Sequence, residues 1–233
     1  QFLTTGPLSP FSQLKQSQLE GVTETGHGAA TGEYHWGMVI NLDTCIGCEY
    51  CMRACSAIND VAPDKPWNIV VEEKSSTGST FYFSRPCLHC QNAPCVEVCP
   101  VGATYHRDDG LVVMDYDRCI GCRYCQVACP FGVPRFDWDN GLTPRISKCW
   151  LCFDRLQQGQ VPACSAACPT GALRFGRRDD LLVQAHAQIA THPNRYIDHV
   201  YGEFEVGGTS ILYLSAVPFA QLGLPADLPQ EAP

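Results

Sequence analysis

CIGCEYCMRAC (residues 45–55) and CIGCRYCQVAC (residues 119–129) are one phrase written twice. Each follows a short alternating run, WGMVINLDTC from Trp36 and GLVVMDYDRC from Gly110. Alternation predicts a strand, the Asp a turn, and the cysteine run a loop passing into a short helix. Two further groups fill out the pattern. CLHCQNAPCVEVC spans 87–99, and CWLCFDRLQQGQVPACSAAC spans 149–168. All sixteen cysteines of the 233 residues fall into four groups of four, with none left over. Pro100, Pro130 and Pro169 follow the last cysteines of groups two, three and four, while group one has Ser56 there. After each of these three prolines the chain reads as a turn and a short strand.

The spacing C-x2-C-x2-C-x3-C is the bacterial ferredoxin run, in which three thiolates of one loop hold one iron–sulfur cube and the fourth serves its neighbour. Groups one and three have it without deviation. Pairing groups two with three, and one with four, gives four ligand sets. Cluster one takes Cys45, Cys48, Cys51 and Cys168. Cluster two takes Cys149, Cys152, Cys164 and Cys55. Cluster three takes Cys87, Cys90, Cys95 and Cys129, and cluster four takes Cys119, Cys122, Cys125 and Cys99. Zinc would accept the same thiolates but more often uses two separated knuckles. Disulfides would need many bridges between cysteines three apart, which is geometrically awkward. All positions being Cys, each cluster is expected to be [4Fe–4S]. The peptide N–H groups of Ile46, Gly47, Cys48, Ile120, Gly121 and Cys122 are expected to donate to sulfur. Gly47 and Gly121 admit close backbone approach. Lys148 and Arg123 read either as charges that tune a cluster or as ordinary surface charges. His89 is expected to pack or hydrogen-bond rather than ligate, and Trp138 and Trp150 to shield clusters.

The formal charge is −8, with no basic stripe, so nucleic acid is not an expected partner. There is no G-x-G-x-x-G, P-loop, H-E-x-x-H or G-x-S-x-G motif, and no acid–base pair apart from the cysteines. The chain is therefore expected to be non-catalytic. Its start lacks the charged and apolar regions of an export signal. Ile211–Leu224, broken by Ser215 and Pro218, is too short to span a bilayer. The predicted fold class is α+β: two bacterial-ferredoxin-like double-cluster units related by an internal repeat, with an insertion and a C-terminal tail. Residues 1–35 form an extended arm. Residues 36–55 and 140–180 form the outer unit, and 87–139 the inner unit. Residues 56–86 form the insertion, with a hairpin of Asn68–Glu73 and Thr80–Ser84. Residues 181–233 hold a helix, Leu181–His192, a short strand, Ile211–Leu214, and a tail lying against its own core or a partner.

The runs CIGCEYCMRAC, CLHCQNAPCVEVCPVGA, CIGCRYCQVACPFGVPRF and CWLCFDRL…CSAACPTGAL resemble the four-cluster electron-transfer subunits of the molybdopterin oxidoreductase family and its relatives. These include the iron–sulfur subunits of dimethyl sulfoxide reductase, formate dehydrogenase and hydrogenase-2-type enzymes. The resemblance covers about residues 36–180. It implies the ligand swap given above at all sixteen cysteines. It further implies a subunit bridging a large catalytic subunit (a molybdenum or tungsten enzyme, or a [NiFe] hydrogenase) and an integral membrane quinone-interacting subunit, on the periplasmic side of the membrane. The competing expectation is a free-standing soluble polyferredoxin.

Overall fold

The computed structural model of the chain describes residues 35–62, 65–140 and 145–230. Its elements in chain order begin with β1 (Trp36–Asn41), α1 (Tyr50–Asn59), β2 (Ile69–Lys74), β3 (Thr80–Arg85) and α2 (Pro94–Glu97). Next come β4 (Thr104–His106), β5 (Val112–Met114), α3 (Tyr124–Ala128), β6 (Arg135–Phe136) and β7 (Ile146–Ser147). The last are α4 (Phe153–Gln157), α5 (Ala163–Ala166), β8 (Leu173–Arg177), α6 (Arg178–Thr191) and β9 (Ile211–Leu214). The class is α+β: one three-stranded sheet, in the order β8-β1-β9, and the two-stranded antiparallel ribbons β2-β3, β4-β5 and β6-β7. The arm expected over residues 1–35 lies outside the described residues, apart from His35.

β1 is the hub of the larger sheet. β8 pairs with it antiparallel, Met38 opposite Phe175, and β9 pairs parallel, Met38 opposite Ile211. Successive strand side chains point to opposite faces. Trp36, Met38 and Ile40 therefore share one core with Phe175, Ile211 and Tyr213, and with Cys51, Cys87, Cys149 and Cys164. Val39, Leu212 and Leu214 face the other way, onto Leu181, Ala185 and Ile189 of α6. The sheet thus separates the cysteine-bearing core from a helical layer. Ile211–Leu214 is buried along its whole length, so this part of the expected tail belongs to the chain's own core.

In α6 the apolar residues recur every four positions and form one stripe. Burying Leu181 and Ile189 contributes about 1.5–3 kcal/mol each. The helix runs Arg178–Thr191 rather than Leu181–His192. Periodicity marks only the apolar stripe, whereas the extra first turn is polar. Asp179 and Asp180 sit at the positive end of the helix dipole. Arg178 Nε donates to the Thr209 carbonyl at 2.8 Å.

The expected hairpin forms, with Ile69 opposite Arg85 and Lys74 opposite Thr80. It joins the core through Phe83, edge-on to Tyr213 at 6.1 Å. β4, β6 and β8 are the short strands expected after groups two, three and four. α1, carrying Cys51 and Cys55, packs on α5, carrying Cys164. α2, carrying Cys95, packs on α3, carrying Cys125. Among the described residues no helix is long and apolar enough to cross a membrane.

One glycine locks the C-terminal segment onto this core. Gly202 has φ of +95°, and a Cβ there would lie 2.4 Å from Thr209 Oγ1 and 2.5 Å from the Ile211 carbonyl oxygen. Gly202→Ala is expected to lower stability by about 2–4 kcal/mol, read as a fall in the thermal unfolding midpoint. Gly78→Ala, also at positive φ but with nothing within 4 Å of the new Cβ, is the control and should cost only the backbone strain. Equal shifts for the two would show that the clash at Gly202 is relieved.

Candidate metal centres

Each cysteine group opens with C-x-x-C, and all four loops make the same turn. The residue before the second cysteine is left-handed in every case: Gly47 at φ 68°, His89 at 49°, Gly121 at 67° and Leu151 at 56°. In the first and fourth loops the turn brings a backbone N–H back onto the loop's first sulfur. The Gly47 N–H bonds Cys45, as expected, and the Leu151 N–H lies 3.3 Å from Cys149 Sγ. A Cβ at Gly47 would meet the Tyr82 ring at 2.5 Å. His89 and Leu151 lack glycine's freedom, and left-handed backbone costs a residue of this kind about 1–3 kcal/mol. Full burial holds both in place. His89 Nδ1 also accepts the Val112 N–H at 3.0 Å, the hydrogen-bonding role expected of it.

The fold brings the cysteines together in crossed sets. One cavity is lined by Cys55, Cys149, Cys152 and Cys164. Another is lined by Cys87, Cys90, Cys95 and Cys129. A third is lined by Cys99, Cys119, Cys122 and Cys125. The remaining four also converge: Cys45 lies within electrostatic reach of Cys48 and Cys168, and Cys51 within reach of Cys45 and Cys168. Each set takes three cysteines from one group and the last cysteine of the paired group.

Electrostatic influence between sets links each set to its neighbour. Cys55 and Cys164 feel Cys51, Cys149 feels Cys87, and Cys95 feels Cys125. The quartets therefore follow one another: the Cys45 set, the Cys55 set, the Cys87 set, the Cys99 set. All four cysteines of the second quartet are buried, whereas Cys45, Cys48 and Cys168 of the first are partly open, and Cys122 of the last is exposed.

All sixteen thiols are unbridged. Burial pushes Cys51 and Cys125 up to about 11, and Cys55 and Cys95 up to about 12. It raises Cys90, Cys149 and Cys164 well above the ordinary range. Without metal these are neutral thiols, and metal binding must displace their protons. Cys99 differs. Burial acts to raise it, but the N–H groups of Thr104, Val101, Ala103 and Gly102 outweigh burial and hold it below the usual thiol value. The Ala103 N–H lies 3.2 Å from Cys99 Sγ. At Cys129 burial prevails and raises the thiol, against the N–H groups of Val133, Phe131 and Gly132. These exit-turn donors were missed in the sequence, where the repeated C-P-x-G run was their signal.

A single zinc ion would need its thiolates about 2.3 Å from one centre. Among the described residues no three Cys, His, Asp or Glu side chains converge on a single-ion site. A cube binds each thiolate through a different iron and so suits wider, all-sulfur, apolar cavities. Around them, Trp150 stacks edge-on with Trp67, Phe153 and Tyr116 and lines the cavity of Cys55, Cys149, Cys152 and Cys164, shielding it as expected. Trp138 does not shield. It is 68% exposed, in an open groove with Arg135 and Phe136, because the Arg123 guanidinium holds it at the surface 5.1 Å from its ring. Lys148, by contrast, is buried.

Residues 44–103 match a 4Fe-4S dicluster domain, and residues 78–178 match another of the same description. The hydrogenase-2 operon protein HybA of Escherichia coli O157:H7 is 34% identical over 238 residues, covering 81% of this chain and 72% of HybA. The chain belongs to the 4Fe-4S dicluster-domain family. The nitrate-inducible formate dehydrogenase iron-sulfur subunit of Escherichia coli K12 is also similar, 35% identical over 214 residues, covering 81% of this chain and 72% of the subunit. A Nitratidesulfovibrio vulgaris protein is 38% identical over 228 residues, 88% of this chain, and the chain spans 62% of that relative's length. Two dicluster matches and sixteen cysteines in four sets account for four [4Fe–4S] clusters in this dicluster protein.

Proposed function

We propose that the chain is the non-catalytic electron-transfer subunit of a respiratory oxidoreductase. It connects a large catalytic subunit, a molybdenum or tungsten enzyme or a [NiFe] hydrogenase, with an integral membrane quinone-interacting subunit. It is held peripherally, through those partners, on the periplasmic side of the membrane. The ligand sets are the four quartets: Cys45, Cys48, Cys51 and Cys168; Cys55, Cys149, Cys152 and Cys164; Cys87, Cys90, Cys95 and Cys129; Cys99, Cys119, Cys122 and Cys125. Groups two and three form an inner ferredoxin-like unit, and groups one and four an outer unit derived from the same repeat.

A [4Fe–4S] cluster supplies one-electron exchange at a potential set by its surroundings. The protein's part is to place the clusters in sequence, keep water from the inner ones and open the path at its ends. The observation that carries the reading is the serial order of the quartets, with the more accessible thiols at the two ends. Exposed apolar side chains support docking at both ends. Ile46 and Tyr50 adjoin cysteines of the first quartet, and Ile120, Tyr124 and Val127 lie within two residues of cysteines of the last. Single exposed apolar residues are unremarkable, but a cluster beside an accessible ligand suits a contact surface.

The test is isolation of the native complex. About sixteen irons per chain, four to each cube, and two co-purifying partners are expected. A stable monomer with all four clusters would instead establish a free polyferredoxin. Val127→Glu and Tyr50→Glu, at positions 86% and 53% exposed, should leave the iron content intact. Each should abolish co-purification with a different partner. Loss of neither, or of the same partner from both, would sink the two-ended arrangement.

A further inference from the structure

Asn59 closes α1 and belongs to none of the cysteine groups. Its Nδ2 donates to the Cys55 carbonyl at 2.8 Å, the back-bond common at a helix end. That bond uses one amide hydrogen. The same nitrogen lies 3.7 Å from Cys55 Sγ and 3.8 Å from Cys152 Sγ, so the second hydrogen faces two sulfurs of one quartet. Asn59 Oδ1 accepts the Trp150 indole N–H at 3.0 Å. An indole nitrogen only donates, so this bond fixes which end of the amide looks at the sulfurs. Trp150 is itself wedged against Trp67 at 5.0 Å and Phe153 at 5.2 Å. Asn59 and Trp150 both line the cavity that the four thiols enclose.

We infer that Asn59 raises the reduction potential of the cluster held by Cys55, Cys149, Cys152 and Cys164, and that Trp150 positions its amide to do so. The inference rests on the ligand assignment proposed above. An N–H aimed at thiolate sulfur favours the state with the extra negative charge, which is the reduced one. Helix capping alone would need neither the indole bond nor the approach to Cys152, 93 residues away.

The test is a redox titration of the intact four-cluster protein followed by electron paramagnetic resonance. The signal of the second cluster is assigned as the one lost in both Cys55→Ala and Cys152→Ala. Asn59→Leu should lower the midpoint of that cluster alone. At the wild-type midpoint its reduced-to-oxidised ratio should fall about tenfold, a shift of about 59 mV for one electron. Trp150→Phe keeps the amide but frees it to turn, and should shift the same cluster in the same direction by less. An unmoved midpoint in Asn59→Leu, with four clusters present, overturns the inference. So does an equal shift of all four clusters. If Asn59→Leu does not retain four clusters, Asn59→Ser, too short to reach Cys152, is judged by the same criterion. Different signals lost in Cys55→Ala and Cys152→Ala would overturn the ligand assignment itself, a result distinct from intact clusters with an unchanged potential.

Discussion

Cys99→Ala should abolish the same [4Fe–4S] signal as Cys122→Ala, and leave intact the signal lost in Cys90→Ala. Chain proximity suggests the opposite, since Cys99 lies in one run with Cys87, Cys90 and Cys95. In the structure Cys99 lines the cavity of Cys119, Cys122 and Cys125, while Cys129 lines that of Cys87, Cys90 and Cys95. The reciprocal variant, Cys129→Ala, should therefore match Cys90→Ala. Each variant loses one cube's signal, whether the cube is shed or stripped to a three-iron form. Chemical iron should fall from about sixteen per chain by between one and four. The measurement is a set of difference spectra on reduced protein, compared pairwise. If Cys99→Ala matches Cys90→Ala, the crossed assignment is wrong for this pair, and each group holds its own cluster. The fold should survive. Cys99 and Cys122 sit toward the exposed end of the chain of quartets, away from the sheet core around Met38 and Tyr213.

Much of this site is legible in the sequence. The twice-written cysteine phrase carries its own strand, β1 or β5, and its own helix, α1 or α3. Local pattern and ligand spacing point to one structure there, so these elements fall where expected. The hairpin was legible for the same reason: its alternation is local, and its turn holds Thr77-Gly78-Ser79. What escaped the sequence depends on contacts between distant residues. Nothing near Ile211 tells that it pairs parallel with β1 and fills the sheet. The left-handed turns at His89 and Leu151 were hidden because glycine signals that backbone only where glycine is chosen. At these two positions packing enforces it instead. Asn59 gave no signal at all, since its partner sulfur at Cys152 and its indole at Trp150 are brought near only by the fold. Trp138 shows the converse error: a large apolar side chain near a cysteine run was expected to shield it, and Arg123 draws it to the surface.

Lys148→Gln should lower the potential of the third cluster, by about 100 mV. Lys148 is 2% exposed, and its ammonium donates to the Val112 carbonyl and, at 3.2 Å, to the Cys149 carbonyl. It lines the cavity of Cys87, Cys90, Cys95 and Cys129. Burying an ammonium is costly unless something compensates it. Neither neighbouring histidine does. Burial holds His89 and His106 below the usual histidine value, and Lys148 pushes both lower still, so both stay neutral. Among the described residues no carboxylate forms an ion pair with Lys148. What its charge does reach is Cys95, where it opposes the upward push of burial. The negative charge that balances this ammonium is therefore the thiolate-held cluster. Adding an electron there increases the attraction, so the lysine favours reduction, and removing its charge must lower the potential. At a separation of about 8 Å, a unit charge contributes about 2 kcal/mol with an effective dielectric near 20. That energy corresponds to about 100 mV for one electron. Glutamine keeps a donor for the Val112 carbonyl while removing the charge, which separates hydrogen bonding from electrostatics. The readout is the midpoint of the signal lost in Cys90→Ala. A third cluster that titrates as in the wild type would mean that Lys148 is balanced elsewhere. A uniform fall across all four clusters would mean that the substitution loosened the fold rather than removed a local charge.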